Sequence, residues 1–355
     1  MGKLRSAEAL VKDSFRQDEV GRKLTGLALL SLRIAIKAFL STYHAMRYRL
    51  HTLDAADENG PRDDLHSTDY KEHFAEAVVH FQHFSELAIK DMLRALHPLL
   101  ADKVPDKEVL AKVLADQPVT FVPDPKNPSQ SAEFGVVADR LYKLIGAGKI
   151  DARYHFVAQF RDALRELTTL RNRLLHRGTV VMRYQAADEF VGGYILPFVL
   201  QVVQLDEYKD LSEFWRARPL QCGIDVIRAI ADGCAAGAYI LKRTAYLKEL
   251  GRASYANPVP ADEFDELIGP PHRSNAQLIA AEAKKHGTDV HVCPVCGIES
   301  LITSYDAHEV DVGAHCHPIM GDSFPSGVRC INCTFEVDSE LYDKDVFGLP
   351  IPAYF

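Results

Sequence analysis

Residues 171–176 read Arg171-Asn172-Arg173-Leu174-Leu175-His176, followed by Arg177 and Gly178. They close a run from 151 to 176 in which Phe156, Phe160, Leu164, Leu167 and Leu170 fit a buried helical stripe. Gly178 breaks that helix. The stretch thus sets a guanidinium, a carboxamide and an imidazole within about two helical turns. It contains no acidic residue. An imidazole moves protons near neutral pH, and a guanidinium clamps phosphate. Taken as bare residues, the stretch is also an ordinary helix C-terminus, with basic side chains near the negative end of the dipole.

The pattern Arg171-Asn172-x-x-x-His176 resembles the signature of the HEPN superfamily, an arginine and a histidine four to six residues apart, often with Asn after the Arg. Upstream, Glu86-Leu-Ala-Ile-Lys90 resembles the Glu-x-x-x-Lys of an earlier HEPN helix, and an apolar helical segment follows Gly178. The resemblance covers roughly residues 20–250 and implies a helical bundle. It also implies a metal-independent endoribonuclease acting as a homodimer with the two motifs facing each other, in a toxin-type or antiviral defence setting. By the same resemblance Glu86 and Lys90 either belong to the site or support the groups that do. As residues alone they are an i,i+4 surface pair.

The chemistry of the motif suits cleavage of RNA without a metal. RNA carries its own nucleophile, the 2′-hydroxyl. A base must take its proton, an acid must protonate the leaving 5′-oxygen, and a cation must hold the charged phosphorane. His176 serves as base or acid, and Arg171 as the phosphate clamp. Asn172 stands four residues before His176, in reach of its ring on a continuous helix. Arg171 and His176 are five apart, about 140° around the axis, and converge best at a frayed helix end or through the length of the arginine. Arg173 and Arg177, one turn apart, fit flanking phosphates. The expected product is a 2′,3′-cyclic phosphate. A catalytically inactive adaptor of the same family, binding RNA, nucleotide or protein, is the alternative.

A second motif lies near the C-terminus. Cys293-Pro-Val-Cys296-Gly297 and Cys330-Ile-Asn-Cys333 are two C-x-x-C knuckles separated by 33 residues. Two such pairs complete a tetrahedral thiolate site, and the pattern resembles a zinc ribbon with an insertion. Four thiolates leave no open position for a reactive water, so the zinc is expected to be structural and catalysis to need no metal. His315-Cys316-His317 in the insertion is either a bystander loop or a second site. Cys222 and Cys234 fall in helical sequence and read as buried small hydrophobes.

The whole chain of 355 residues is 47% hydrophobic, enough for a sizeable core. Its net charge of −8 conceals an asymmetry. Residues 288–355 hold eleven acidic residues against two basic ones, while the first 287 hold 38 against 39. An acidic tail repels a polyanion, so RNA is expected on the helical body and a protein partner on the ribbon. No apolar run reads as long enough to span a bilayer; residues 24–40 come closest but contain Arg33 and Lys37. The N-terminus lacks a secretory h-region, so a cytoplasmic location without membrane contact is the expectation.

The fold class expected is mainly α, a HEPN-like helical bundle with a small C-terminal β-rich zinc ribbon. The domains are 1–250, a linker and helix at 251–287, and the ribbon with its acidic tail at 288–355. Within the first, helices are expected at 6–50, 69–96, 106–115, 132–146, 151–176, 187–205 and 222–250, with a Pro-rich loop at 117–131. Ser67 or Thr68 caps the second of these, whose Phe74, Val78, Phe81, Ile89, Met92 and Leu96 form an apolar face. His73, Glu76, His80, His83, Glu86 and Lys90 form the opposite face, read as solvated or interfacial, with metal binding by its histidines the weaker option. Val180–Tyr184 is β-branched enough to pair locally, Pro197 is placed to kink its helix, and a last helix is expected at 274–286.

Overall fold

The structure is a computed structural model that describes residues 25–53, 63–103, 106–119, 131–178, 180–256, 272–310, 319–338 and 341. It is mainly helical, with a small C-terminal antiparallel sheet. In chain order the helices are α1 (Thr25–Met46), α2 (Thr68–Leu96), α3 (Asp106–Leu114), α4 (Phe134–Gly146) and α5 (Arg161–Arg177). Then come α6 (Tyr184–Phe190), α7 (Leu196–Val202), α8 (Val226–Ala235), α9 (Leu241–Ala256) and α10 (His272–Lys285). The strands are β1 (Val290–Val292), β2 (Glu299–Val310), β3 (Ile319–Cys330) and β4 (Glu336–Asp338), in sheet order β1-β2-β3-β4.

Contacts divide the chain into two compact units. One takes described residues up to Arg33, His80–Thr168 and Val202–Trp215; the other takes Ile34–Val79, Thr169–Gln201 and the described residues from Arg216 on. In the first unit, buried Arg140 donates to the carbonyls of Leu100 at 2.7 Å and Asp102 at 2.9 Å, satisfying the turn after α2. Asp91 Oδ2 accepts from Thr25 at 3.2 Å and from the buried Tyr208 hydroxyl at 3.1 Å.

The second unit is built around α9, where Thr244–Gly251 are buried without interruption. A helix enclosed on all sides is normally apolar throughout, yet α9 carries Lys248 and Glu249 at 0% exposure. Lys248 is neutralised by Asp188, itself fully buried, at 2.5 Å. Its Nζ also lies 4.2 Å from the Tyr184 ring centroid and 4.5 Å from that of Phe39. Burial alone pushes the Lys248 ammonium down and the Asp188 carboxyl up, and each opposes the shift in the other.

Several expectations need correction. Residues 152–160 form a 3-10 segment rather than the first half of an α-helix; Tyr154 and Val157, three apart, are its buried residues, and Phe156 and Phe160 are only half-buried. Val180–Arg183 pair with no strand among the described residues. Between α6 and α7 the chain makes a π turn at Val191–Ile195. Pro197 has no amide to return to the Gly193 carbonyl, and Gly192-Gly193 yields to the wider turn. The helix expected at 222–250 is split into α8 and α9, with Gly237 at φ +65° between them. Cys222 sits in a turn, and it and Cys234 are half-buried.

The mixed face of α2 is only partly solvated: Glu76 is exposed, while His73, His80, His83 and Glu86 are half-buried. Lys90 is buried, and His83 Nδ1 shares a 2.8 Å hydrogen bond with the Ser31 hydroxyl. Leu96, expected on the apolar face, is exposed. The stretch Thr25–Leu53 does pass a length-and-composition criterion for crossing a membrane, against the sequence reading; 61% of its most apolar window is buried inside the protein. The expected helical residues 6–24 and most of the 117–131 loop lie outside the described residues, as does His315-Cys316-His317.

Candidate functional sites: a helix-terminal Arg-Asn-His motif and a four-cysteine centre

Helix α5 stays regular through Arg177 and ends at Gly178, whose φ of +61° and amide bond to the Leu174 carbonyl at 3.2 Å make a left-handed cap. Leu164, Leu167 and Leu170 are buried, which anchors the helix and fixes its rotation. Asn172, Arg173 and His176 are exposed, and Leu175 beside them is 53% exposed.

Arg171 is half-buried. Its Nη1 donates to the Asn172 side-chain oxygen at 3.1 Å, so that oxygen faces the guanidinium. Its Nε is closed off from solvent and meets no acceptor among the described residues. A buried guanidinium donor without an acceptor is a costly arrangement. With α5 regular to its end, Arg171 and His176 point about 140° apart in a single chain. Of Arg177 only the backbone is described.

Glu86 and Lys90 belong to the other compact unit. They form the expected i,i+4 ion pair at 2.5 Å, but with Lys90 buried rather than on the surface. Lys90 also donates to the Ser131 hydroxyl at 2.6 Å, and Gln82 donates to Glu86 Oε2 at 3.2 Å. The set fastens α2 to Ser131, whose neighbour Ala132 bonds the Ala101 carbonyl at 3.1 Å.

The four cysteines converge. Their sulfur atoms all lie within 4.8 Å of one another, with Cys293–Cys333 at 3.5 Å and Cys296–Cys330 at 3.7 Å. A tetrahedron of thiolates around a metal at about 2.3 Å has edges of about 3.8 Å, so the residues fit a single ion. Among the described residues this is the one such cluster, and it does not include the α2 histidines.

The two knuckles repeat one design. Gly297 donates to the Cys293 carbonyl at 2.9 Å and Cys293 to the Ile298 carbonyl at 2.9 Å. Thr334 donates to the Cys330 carbonyl at 3.1 Å and Cys330 to the Phe335 carbonyl at 2.7 Å. Backbone amides of Val295 and Cys333 point at the sulfurs of Cys293 and Cys330. Gly297 takes φ +71° without strain; Thr334 takes φ +61°, which a β-branched residue resists. Arg252 holds Thr334 there, donating to its carbonyl at 2.5 Å and its hydroxyl at 3.2 Å. The first knuckle is tied to the helical part of its unit by Gln221 and Cys222, whose amides donate to Val295 and Pro294 at 3.1 and 3.0 Å.

The motif and the cysteine quartet were both visible in the sequence. The buried polar groups of the second unit were not: Asp188 meets Lys248 across 60 residues, His66 meets the Tyr184 amide across 118, and Glu249 with Arg252 sits inside an otherwise ordinary helix, without a local signature. Comparison with protein-family models, curated proteins and solved structures returned no match to this chain.

Proposed function

We propose that this protein is a HEPN-type, metal-independent endoribonuclease that cleaves RNA by 2′-hydroxyl attack, and that its cysteine quartet holds a structural zinc ion. The observation that carries the reading is the end of α5, where the half-buried Arg171 turns Nη1 to Asn172 beside the exposed Arg173 and His176, a set that suits one phosphate. The exposed imidazole of His176 supplies the proton transfer, with no carboxylate in the last turns of α5 to compete for the guanidinium. Arg173 extends the cationic surface along the RNA backbone.

The angle of about 140° between Arg171 and His176 argues that one chain does not complete the site. Two copies, facing through the exposed end of α5, would supply one imidazole as base and the other as acid. Zinc suits a set of four thiolates, three of them buried, and with no open ligand position its role is to hold the knuckles. The same 140° divergence favours one second reading, an RNA-binding adaptor in which Arg171 grips phosphate and His176 does no chemistry.

The test is incubation of a labelled structured RNA with wild-type protein, His176→Ala and Arg171→Ala, without added divalent metal, followed by end-group analysis. Wild type should yield 2′,3′-cyclic phosphate ends, and both variants should lose cleavage. Cleavage that requires added metal and leaves 3′-hydroxyl ends contradicts the mechanism. RNA binding without cleavage, lost in Arg171→Ala and kept in His176→Ala, selects the adaptor.

A further inference from the structure

After Gly178 the chain leaves the motif helix as a short strap, with no regular structure over Val180–Arg183, and re-enters a helix at Tyr184. Such a strap would be expected to move freely, yet its backbone is gripped twice from the start of α2. The Tyr70 hydroxyl donates to the Met182 carbonyl at 2.7 Å, and the Tyr184 amide donates to His66 Nε2 at 3.0 Å. The rings belong to one buried cluster and are tilted to one another: His66 and Tyr70 centroids are 5.0 Å apart, Tyr70 and Tyr184 5.9 Å. Tyr70 and Tyr184 are fully buried and His66 is nearly so. Ser67 between them caps α2, accepting the Tyr70 amide at 3.1 Å and donating to the Ala45 carbonyl at 3.1 Å.

An imidazole nitrogen that accepts an amide must be unprotonated. We propose that His66 and Tyr70 form an acid-releasable latch on the strap that follows His176, and that His66 is a positioning residue for the motif at the end of α5. The inference rests on the nuclease reading only for its second half; the latch itself is a property of the strap.

The surroundings set the sense of the switch. Burial holds the His66 imidazole below its ordinary value, and Arg183 and Lys71 push the same way. The Asp63 backbone carbonyl and carboxylate oppose them. Arg183 is itself paired with Asp63 at 2.8 Å on the exposed side of the strap. Because the folded-state value lies below the unfolded one, the stability His66 contributes is present above the unfolded value and lost as pH falls through the folded one. The latch is closed at neutral pH and opens in acid.

The experiment follows the exchange of the Tyr184 amide with solvent, corrected for intrinsic pH dependence, from pH 7.5 to pH 5, beside RNA cleavage at each pH. It uses wild type, His66→Gln, His66→Ala and Tyr70→Phe in the full chain. Glutamine keeps an acceptor oxygen near the Nε2 position but does not titrate. In wild type, protection should drop about tenfold in acid, the equivalent of one lost hydrogen bond. His66→Gln should stay protected across the range, and its cleavage should fall less steeply in acid than that of wild type. His66→Ala and Tyr70→Phe should be less protected even at pH 7.5. Should His66→Ala fail to fold, the comparison of His66→Gln with wild type decides alone. An acid loss of protection unchanged in His66→Gln, or none in wild type, overturns the latch. A latch that behaves as stated in a protein that cleaves no RNA removes the nuclease reading and leaves the latch in place.

Discussion

The Glu249 carboxylate, fully buried on α9, accepts the Glu336 backbone amide of strand β4 at 2.9 Å. The same carboxylate holds Arg252 through two hydrogen bonds of 2.6 and 2.7 Å, and Arg252 reaches on to Thr334. Arg47, just past the end of α1, clasps the Glu336 carboxylate at 2.7 Å. The second cysteine knuckle is therefore fastened to the helices of its own unit by charge-assisted bonds, not by apolar contact alone.

Glu249→Ala removes one member of a largely buried pair and strands Arg252 and the Glu336 amide. We expect a loss of about 3 kcal/mol in urea denaturation at neutral pH, the cost of breaking a buried pair from one side. The pH dependence has a definite sign. Burial, only partly offset by Arg252, raises the Glu249 carboxyl above its ordinary value. Its contribution to stability is thus greatest in acid and declines as pH rises through the raised value. Glu249→Gln should flatten that segment of the stability profile; an unchanged profile would count against the assigned burial.

The Asp188–Lys248 pair tests the same physics where no solvent reaches either partner. Lys248→Met alone leaves a buried carboxylate and should cost about 3–5 kcal/mol. Adding Asp188→Asn should recover most of that loss, since two neutral groups carry little desolvation penalty. A double-mutant cycle by urea denaturation reads the coupling directly. Losses that simply add would show that the two side chains do not meet.

Gly192 in the π turn tests close packing. A Cβ there would fall 2.5 Å from Cys234 Sγ and 3.2 Å from Ile230 Cγ2. Gly192→Ala should therefore destabilise by about 1–3 kcal/mol through overpacking. Cys234→Ala should relieve most of it, a coupling of neighbours that thermal melts of the single and double variants would reveal.

The cysteine quartet should hold one ion per chain. Metal analysis of the purified protein is expected to find one equivalent of zinc, and Cys333→Ser to lower both metal content and melting temperature. Zinc-free protein with unchanged stability would remove the metal from the account.

The legible parts of the fold are those whose signals are local. Ser67 and the apolar spacing behind it marked α2 to within a residue at its start, and two C-x-x-C pairs marked the knuckles. Tertiary satisfaction of polar groups was not legible. Lys90 reads as a surface lysine until Ser131, 41 residues on, is found to receive it. The buried charges of α9 depend on Asp188, 60 residues away, and on an arginine of the same helix. The π turn needed two weak hints together, Gly192-Gly193 and Pro197, and the 3-10 segment at 152–160 has no composition that separates it from an α-helix. In the motif, residue types and order were legible, but not that Arg171 would turn its Nη1 to Asn172 and bury an Nε that meets no acceptor among the described residues.

The central claim is that His176 moves a proton in RNA cleavage. The most direct measurement is single-turnover cleavage of an end-labelled RNA by wild type and His176→Ala, without added metal, with product ends identified. The account predicts 2′,3′-cyclic phosphate ends from wild type and none from the variant, whose melting temperature should match wild type because the ring is exposed. Equal cleavage by the two proteins, or 3′-hydroxyl ends, would contradict it.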